Sequence, residues 1–258
     1  GHRVTPINPE VPVQDFDVHG ILDGKLTIRQ PRGGERVAID AVLLAAAIEA
    51  KPGERILDVG SGSGAVALCI AQRLPGVHVT GIENDNRLVR LASGSAKDNR
   101  LAGSVSFYCN DLTETPGDGM ESFDQVVTNP PFQPPSRGHV SPYPARARAH
   151  TEQNTTLAMW VEGCQRRLRE GGTITVIFPA DRLDQLLYEL GKEAGDLRVF
   201  PLWPKAGKAA KRVIVRAKRA SRAPVRMLAG MLLHRSDGRY TAEAEDILRR
   251  GAALPLSG

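Results

Sequence analysis

The chain has 258 residues, 41% of them hydrophobic, and a formal net charge of +5, enough length to bury one large α/β core or two small ones. No run of about 18 apolar residues occurs, which excludes a membrane-spanning helix, and the start carries no signal-peptide pattern. Cys69, Cys109 and Cys164 are widely spaced and form no C-x-x-C, which argues against a disulfide framework or a cysteine metal site and fits a reducing cytoplasm.

In chain order, the segment to about Asp15 is Pro-rich and reads as irregular. "GILDGKLTIRQP" (20–31) reads as a hairpin with Asp23-Gly24 at its turn, because that pair adopts positive φ readily between apolar runs. "IDAVLLAAAIEA" (39–50) reads as an apolar helix opened by Asp40 and ended by Lys51-Pro52-Gly53. A strand–helix alternation then begins, with strands predicted at 55–60, 78–83, 105–111 and 123–129. Helices are predicted at 65–74, 86–100 and 152–169, the last closed by Gly171-Gly172. A strand at 173–179 and a helix at 181–195 follow. The final pair, 197–203 and 212–218, is joined by a segment too short for a helical crossover, so these strands are expected to pair antiparallel.

Such alternation predicts a Rossmann-like, doubly wound and mostly parallel sheet with one antiparallel strand near the C-terminus. That is the pattern of class I methyltransferases. One domain is expected over 1–258: a hairpin-and-helix extension at 1–50, a binding and catalytic core at 51–220, and a C-terminal extension at 221–258. Ligands of such sheets sit at the carboxyl ends of the strands, so the informative residues are those just after the strands.

"LDVGSGSGAVAL" (57–68) joins the first core strand to a helix. Glycines here allow a sharp turn and close approach to a ligand. The spacing is ambiguous. Gly60-x-Gly62-x-x-Ala65 satisfies a dinucleotide pattern, whereas Gly60-x-Gly62-x-Gly64 behind Asp58 is the pattern used for S-adenosylmethionine (SAM). Glu83, at the end of the second core strand, can accept two ribose hydroxyls of either cofactor, and Ser61 and Asn84 flank these positions. Asp111, followed by Leu112, can accept from an adenine amine or cap the next turn. Three acidic strand ends suit a sulfonium cation with an ammonium group better than a pyrophosphate.

Asn129-Pro130-Pro131-Phe132 ends the fourth core strand. It matches the [DNS]-P-P-[FYW] motif of methyltransferases acting on planar nitrogens: adenine N6, cytosine N4, guanine N2 and the glutamine amide. The lone pair of such an amine is delocalised. The Asn129 side-chain oxygen and the Pro130 carbonyl can accept its two hydrogens and hold the nitrogen in line with a methyl donor. Pro130 and Pro131 fix φ and preorganise those acceptors. Phe132 offers a face for a flipped-out base.

The chain resembles the bacterial tRNA(Val) adenine-N6 methyltransferase family over almost its whole length. The similarity runs through "LTIRQPRGGERVAIDAVLLAAA" (26–47), the glycine loop, "NPPF", "RARAHTE" (146–152), "AKRVIVRAKR" (210–219) and "LLHRSDGRYTAEAEDIL" (232–248), in that order. The resemblance implies SAM as cofactor, no metal, and the anticodon-loop adenine at tRNA position 37 as acceptor. It also implies that Asp40 borders the methionine end of SAM, that Asp58, Gly60, Gly62, Glu83 and Asp111 contact SAM, and that Asn129 to Phe132 form the catalytic corner. Asn129 is also expected to border the cofactor. The chain departs from the family in carrying Arg36-Val37-Ala38-Ile39 before the helix aspartate, where aromatic and Gly-Thr residues are usual, and Phe132 where many members have tyrosine.

Charge is unevenly distributed: residues 1–132 sum to −5 and residues 133–258 to +10. Between Asp196 and Asp237 stand eleven Lys/Arg and no acidic residue. Such a stretch is either a solvated surface or a footprint for a phosphate backbone. Arg137, Tyr143, Arg146 and Arg148, in the long loop after the corner, are candidates for holding RNA, as are Lys205, Lys208, Lys211 and Arg212. His150 and Glu152 are read as loop-positioning residues. The rival readings are an rRNA guanine amine or a protein glutamine amide as acceptor, an NAD(P)-dependent oxidoreductase, and a non-catalytic RNA-binding protein.

Overall fold

The computed structural model describes residues 15–34, 37–131 and 155–256. Strands β1 (Phe16–Ile21) and β2 (Leu26–Pro31) form an antiparallel hairpin. Leu22, Asp23 and Gly24 all have positive φ in its turn, so the Asp-Gly pair sits where expected, but the first strand starts four residues earlier than predicted. Helices α1 (Ile39–Ala46), α2 (Ala65–Arg73) and α3 (Asn86–Asp98) alternate with strands β3 (Arg55–Val59), β4 (His78–Glu83) and β5 (Val105–Cys109). Strand β6 (Phe123–Thr128), helix α4 (Leu157–Arg166), strand β7 (Leu168–Pro179) and helix α5 (Leu183–Gly191) follow. The chain continues through β8 (Ala194–Trp203), β9 (Arg212–Arg219), β10 (Arg226–Met227), β11 (Met231–Leu232) and helix α6 (Ala242–Arg250).

Nine of these strands make one sheet in the order β10-β8-β9-β7-β6-β3-β4-β5, with β11 also on β8. All pairings are parallel except those of β9, which is antiparallel to both β7 and β8. The fold is thus the Rossmann-like class I sheet that the alternation predicts. Its strands read as continuous apolar runs because both faces are covered. Ile56, Val127, Ile177 and Ile214 face a core shared with α1, α2, α3 and the hairpin. Leu57, Val126, Val176 and Val215, one residue out of phase, face a core shared with α4 and α5.

Two expectations need correction. Gly171 and Gly172 do not close a helix; they lie inside β7, which begins at Leu168. Leu168 is buried opposite Phe123, and the register shifts between Phe123 and Gln125. A Cβ on Gly172 would lie 2.8 Å from the Asp124 carbonyl, so glycine is what lets β7 pass close to β6 through this irregularity. Helix α1 also ends at Ala46 rather than at residue 50, although Ile48 beyond it is buried.

The first and last described segments pack onto the core. The Asn99 side chain accepts from the Thr27 amide at 3.0 Å and donates to its carbonyl at 2.7 Å, fixing the hairpin on α3. At the far end, the Leu254 amide donates to the Ala46 carbonyl at 2.8 Å, and Leu254 and Leu256 are buried.

Candidate active site

The parallel register brings the predicted strand ends together. Val59 is level with Ile82 on one side and Thr128 on the other, and Glu83 is level with Cys109. The glycine loop, Glu83 and the Asn129 corner therefore share one edge of the sheet.

The loop leaves β3 by folding over β4: the amides of Gly60 and Ser61 both donate to the Ile82 carbonyl, at 2.9 and 3.0 Å. The Gly62 amide donates to Glu83 Oε1 at 3.2 Å. Gly64 caps α2 with φ +93°, and a Cβ there would meet the Phe107 ring at 2.8 Å. A Cβ on Gly60 would meet the Trp160 ring at 3.0 Å, whereas one on Gly62 would meet nothing within 4 Å. The loop is thus packed at both ends and open in its middle.

Asp58 is the buried acid behind this loop. Burial pushes its carboxyl up to about 7, the neighbouring Glu83 charge adds to the rise, and the Ala67 amide opposes it. Asp58 Oδ2 and Ser61 Oγ are buried without a hydrogen-bond partner among the described residues. Such orphaned acceptors carry a cost unless a ligand meets them. Glu83 accepts a second amide, that of Asp85, at 2.7 Å. Asn84 is exposed, and its carbonyl accepts from the Cys109 thiol at 3.5 Å. Acidic acceptors behind an open-sided glycine loop fit a cationic nucleoside cofactor better than a pyrophosphate.

Asp111 forms a local turn. Its Oδ1 accepts the Thr113 amide and hydroxyl at 2.9 and 2.8 Å, an Asx turn. Leu112 is buried, and its carbonyl accepts from the Arg167 guanidinium at 3.0 Å.

The corner is mounted through Thr128. Its hydroxyl donates to the Val59 carbonyl at 2.8 Å and accepts from Trp160 Nε1 at 3.0 Å. Asn129 and Pro131 are exposed and Pro130 is buried between them. Phe132, Arg137, Tyr143, Arg146, Arg148, His150 and Glu152 lie outside the described residues.

Trp160, on α4, is the positioning residue that sequence reading missed. One indole touches the glycine loop and is bonded to the strand that carries the corner. In the sequence it is one apolar position of an amphipathic helix, and nothing local marks its partners 32 residues or more away. Trp160→Phe is expected to lower stability by about 1 kcal/mol through the lost N–H bond, read as a shift in the urea midpoint.

On the basic side, Arg212 Nε donates to Asp40 Oδ2 at 3.1 Å. A residue expected on RNA and one expected on the cofactor thus meet in a single ion pair between α1 and β9. Lys205, Lys208 and Lys211 are exposed in the turn before β9.

Comparison with known proteins agrees with this geometry. The family model described as "Methyltransferase small domain" matches residues 34–189. A curated tRNA1(Val) adenine-37 N6-methyltransferase of Actinobacillus succinogenes is 29% identical over 198 residues, covering 76% of this chain and 82% of the relative. One of the same name from Bacteroides thetaiotaomicron is 30% identical over 169 residues, covering 63% and 67%. Among solved structures, a predicted O-methyltransferase from Agrobacterium tumefaciens superposes with TM-score 0.69 at 24% identity, covering 84% of this chain and 98% of that one. The Thermus thermophilus 16S rRNA guanine-N2 methyltransferase, in complex with AdoMet and guanosine, superposes with TM-score 0.56 at 23% identity, covering 79% and 50%. The chain belongs to the methyltransferase small domain family and is a SAM-dependent methyltransferase.

Proposed function

We propose that this enzyme methylates the exocyclic N6 amine of an adenine in tRNA, the anticodon-loop adenine 37 that its relatives' names specify, and so works in the cytoplasm. The observation that carries the proposal is the Asn129-Pro130 corner, fastened through Thr128 to the strand that opens the glycine loop.

When bound, SAM supplies an electrophilic methyl group on a sulfonium. Asp58, Ser61, Gly62 and Glu83 are the residues that would hold it, with Asp40 at its methionine end and Asn84, Asp111 and Leu112 around its adenine. Asn129 and Pro130 accept the two amine hydrogens and turn the nitrogen lone pair toward the methyl. The prolines remove backbone freedom that the acceptors would otherwise lose on binding. Phe132 stacks on the flipped base. The proton leaves after transfer, so no strong general base is required.

Asp58 gives this reading a pH signature. Its folded carboxyl holds the proton more tightly than the unfolded one, so stability from this group falls as pH rises from 3.8 toward about 7 and is constant above that. A bound cation favours the ionised form. SAM affinity is therefore expected to rise with pH up to about 7 and then level off, with proton release on binding below that point. Calorimetry in two buffers of different ionisation enthalpy measures both, and Asp58→Asn should abolish the pH dependence.

The substrate class is tested by offering labelled SAM with total tRNA, rRNA and protein together. Label is expected in the tRNA fraction; label confined to rRNA or protein would refute the tRNA assignment.

A further inference from the structure

The Asn129 corner leaves one surface feature unused. Where β8 ends, the following turn and the segment before β11 enclose an open cleft of about 630 Å³, lined by Trp203, Lys205, Lys208, Gly230 and Leu232 and by no acidic residue. The Trp203 indole is half-buried and held by its Nε1, which donates to the Ala229 carbonyl at 3.1 Å. Gly230 has φ +78°, and a Cβ there would lie 2.2 Å from the Pro201 carbonyl and 2.9 Å from Trp203 Nε1. Only glycine lets the chain lie along the edge of this ring. Lys205 and Lys208 are exposed, and neither has an ion-pair partner among the described residues.

The cleft and the corner lie at the same end of the sheet. Strand β8 is three strands from β6, about 14 Å at the usual spacing. The register places Thr128 level with Val176, Val215 and Val199. Trp203 stands four residues beyond Val199, about 13 Å farther along the strand. The cleft therefore rises beside the corner, within reach of a chain whose reacting base sits there.

We infer that this cleft is a second nucleotide subsite, in which an unpaired RNA base neighbouring the acceptor stacks on Trp203 while its flanking phosphates meet Lys205 and Lys208. The inference rests on RNA being the substrate. A fixed aromatic ring with flanking cations is the arrangement that binds single strands without reading sequence. Phosphates supply the counterion-release part of the affinity.

The test uses the full-length protein and a labelled oligouridylate, which carries no exocyclic amine and so cannot act as methyl acceptor. Binding is followed by anisotropy and by fluorescence of the two tryptophans. Wild type is expected to bind with quenching. Trp203→Phe should keep most of the affinity, while Trp203→Leu should lose it roughly tenfold along with the quenching. Lys205→Ala with Lys208→Ala leaves the fold untouched and should reduce the salt slope by about 1.4, the value for two phosphate contacts on a single strand. Variants that bind like wild type, with an unchanged slope, would overturn the subsite while leaving tRNA methylation in place. A wild type that binds no oligouridylate and labels only protein would overturn both readings.

Discussion

Asn129→Ala is expected to bind SAM with wild-type affinity and to transfer methyl about 10²- to 10³-fold more slowly, the usual cost of one preorganised polar contact to a reacting group. Asn129 is exposed at the strand end, and no side-chain hydrogen bond ties it to the glycine loop among the described residues, so its removal is expected to leave that loop intact. The loss should fall on kcat, because the amine hydrogens gain most from an acceptor as the nitrogen becomes tetrahedral. Asn129→Asp keeps an oxygen acceptor and should recover part of the rate. Single-turnover kinetics with saturating SAM checks both variants; unchanged turnover in the alanine variant would remove the corner from the chemistry.

Gly64→Ala is expected to have the largest effect on the cofactor site. The position has φ +93°, which costs a side-chain-bearing residue roughly 1–2 kcal/mol, and the new methyl would meet the Phe107 ring at 2.8 Å. Relief requires moving either the first turn of α2 or β5, and both border the loop. A fall in stability of about 2–3 kcal/mol and a drop of more than about tenfold in SAM affinity are expected, measured by urea unfolding and calorimetry. Gly62→Ala is the contrast. Its methyl meets no protein atom within 4 Å, so it should cost less stability and act on the cofactor through the loop's open side.

The strand ends that make this site were legible because each buried parallel strand is a short apolar run with an abrupt polar stop. Glu83 and Asn129 are such stops, Asp58 stands one residue before the end of β3, and sheet register then places all three near one edge. Longer-range features were not legible. Gly171-Gly172 looks like a helix terminator and proves to be an irregularity inside β7, a reading decided by Leu168 packing against Phe123. Trp160 looks like core, and its bond to Thr128 exists only in the folded chain. Asp111 satisfied two readings, and the Asx turn it forms through Oδ1 depends on Thr113 two residues on. Arg212 looked free for phosphate, yet Asp40, 172 residues away, holds it. The short pairings of β10 and β11 with β8, which build the Trp203 cleft, have no periodicity from which to read them.

The central claim is that the corner presents an adenine amine of tRNA to SAM. Its most direct measurement is nucleoside mass spectrometry on a tRNA transcript treated with the enzyme and SAM, beside one carrying guanine at position 37. The account predicts N6-methyladenosine from the first transcript and no methylated nucleoside from the second. N2-methylguanosine from either transcript, or an adenine product whose yield survives the substitution at position 37, would contradict it.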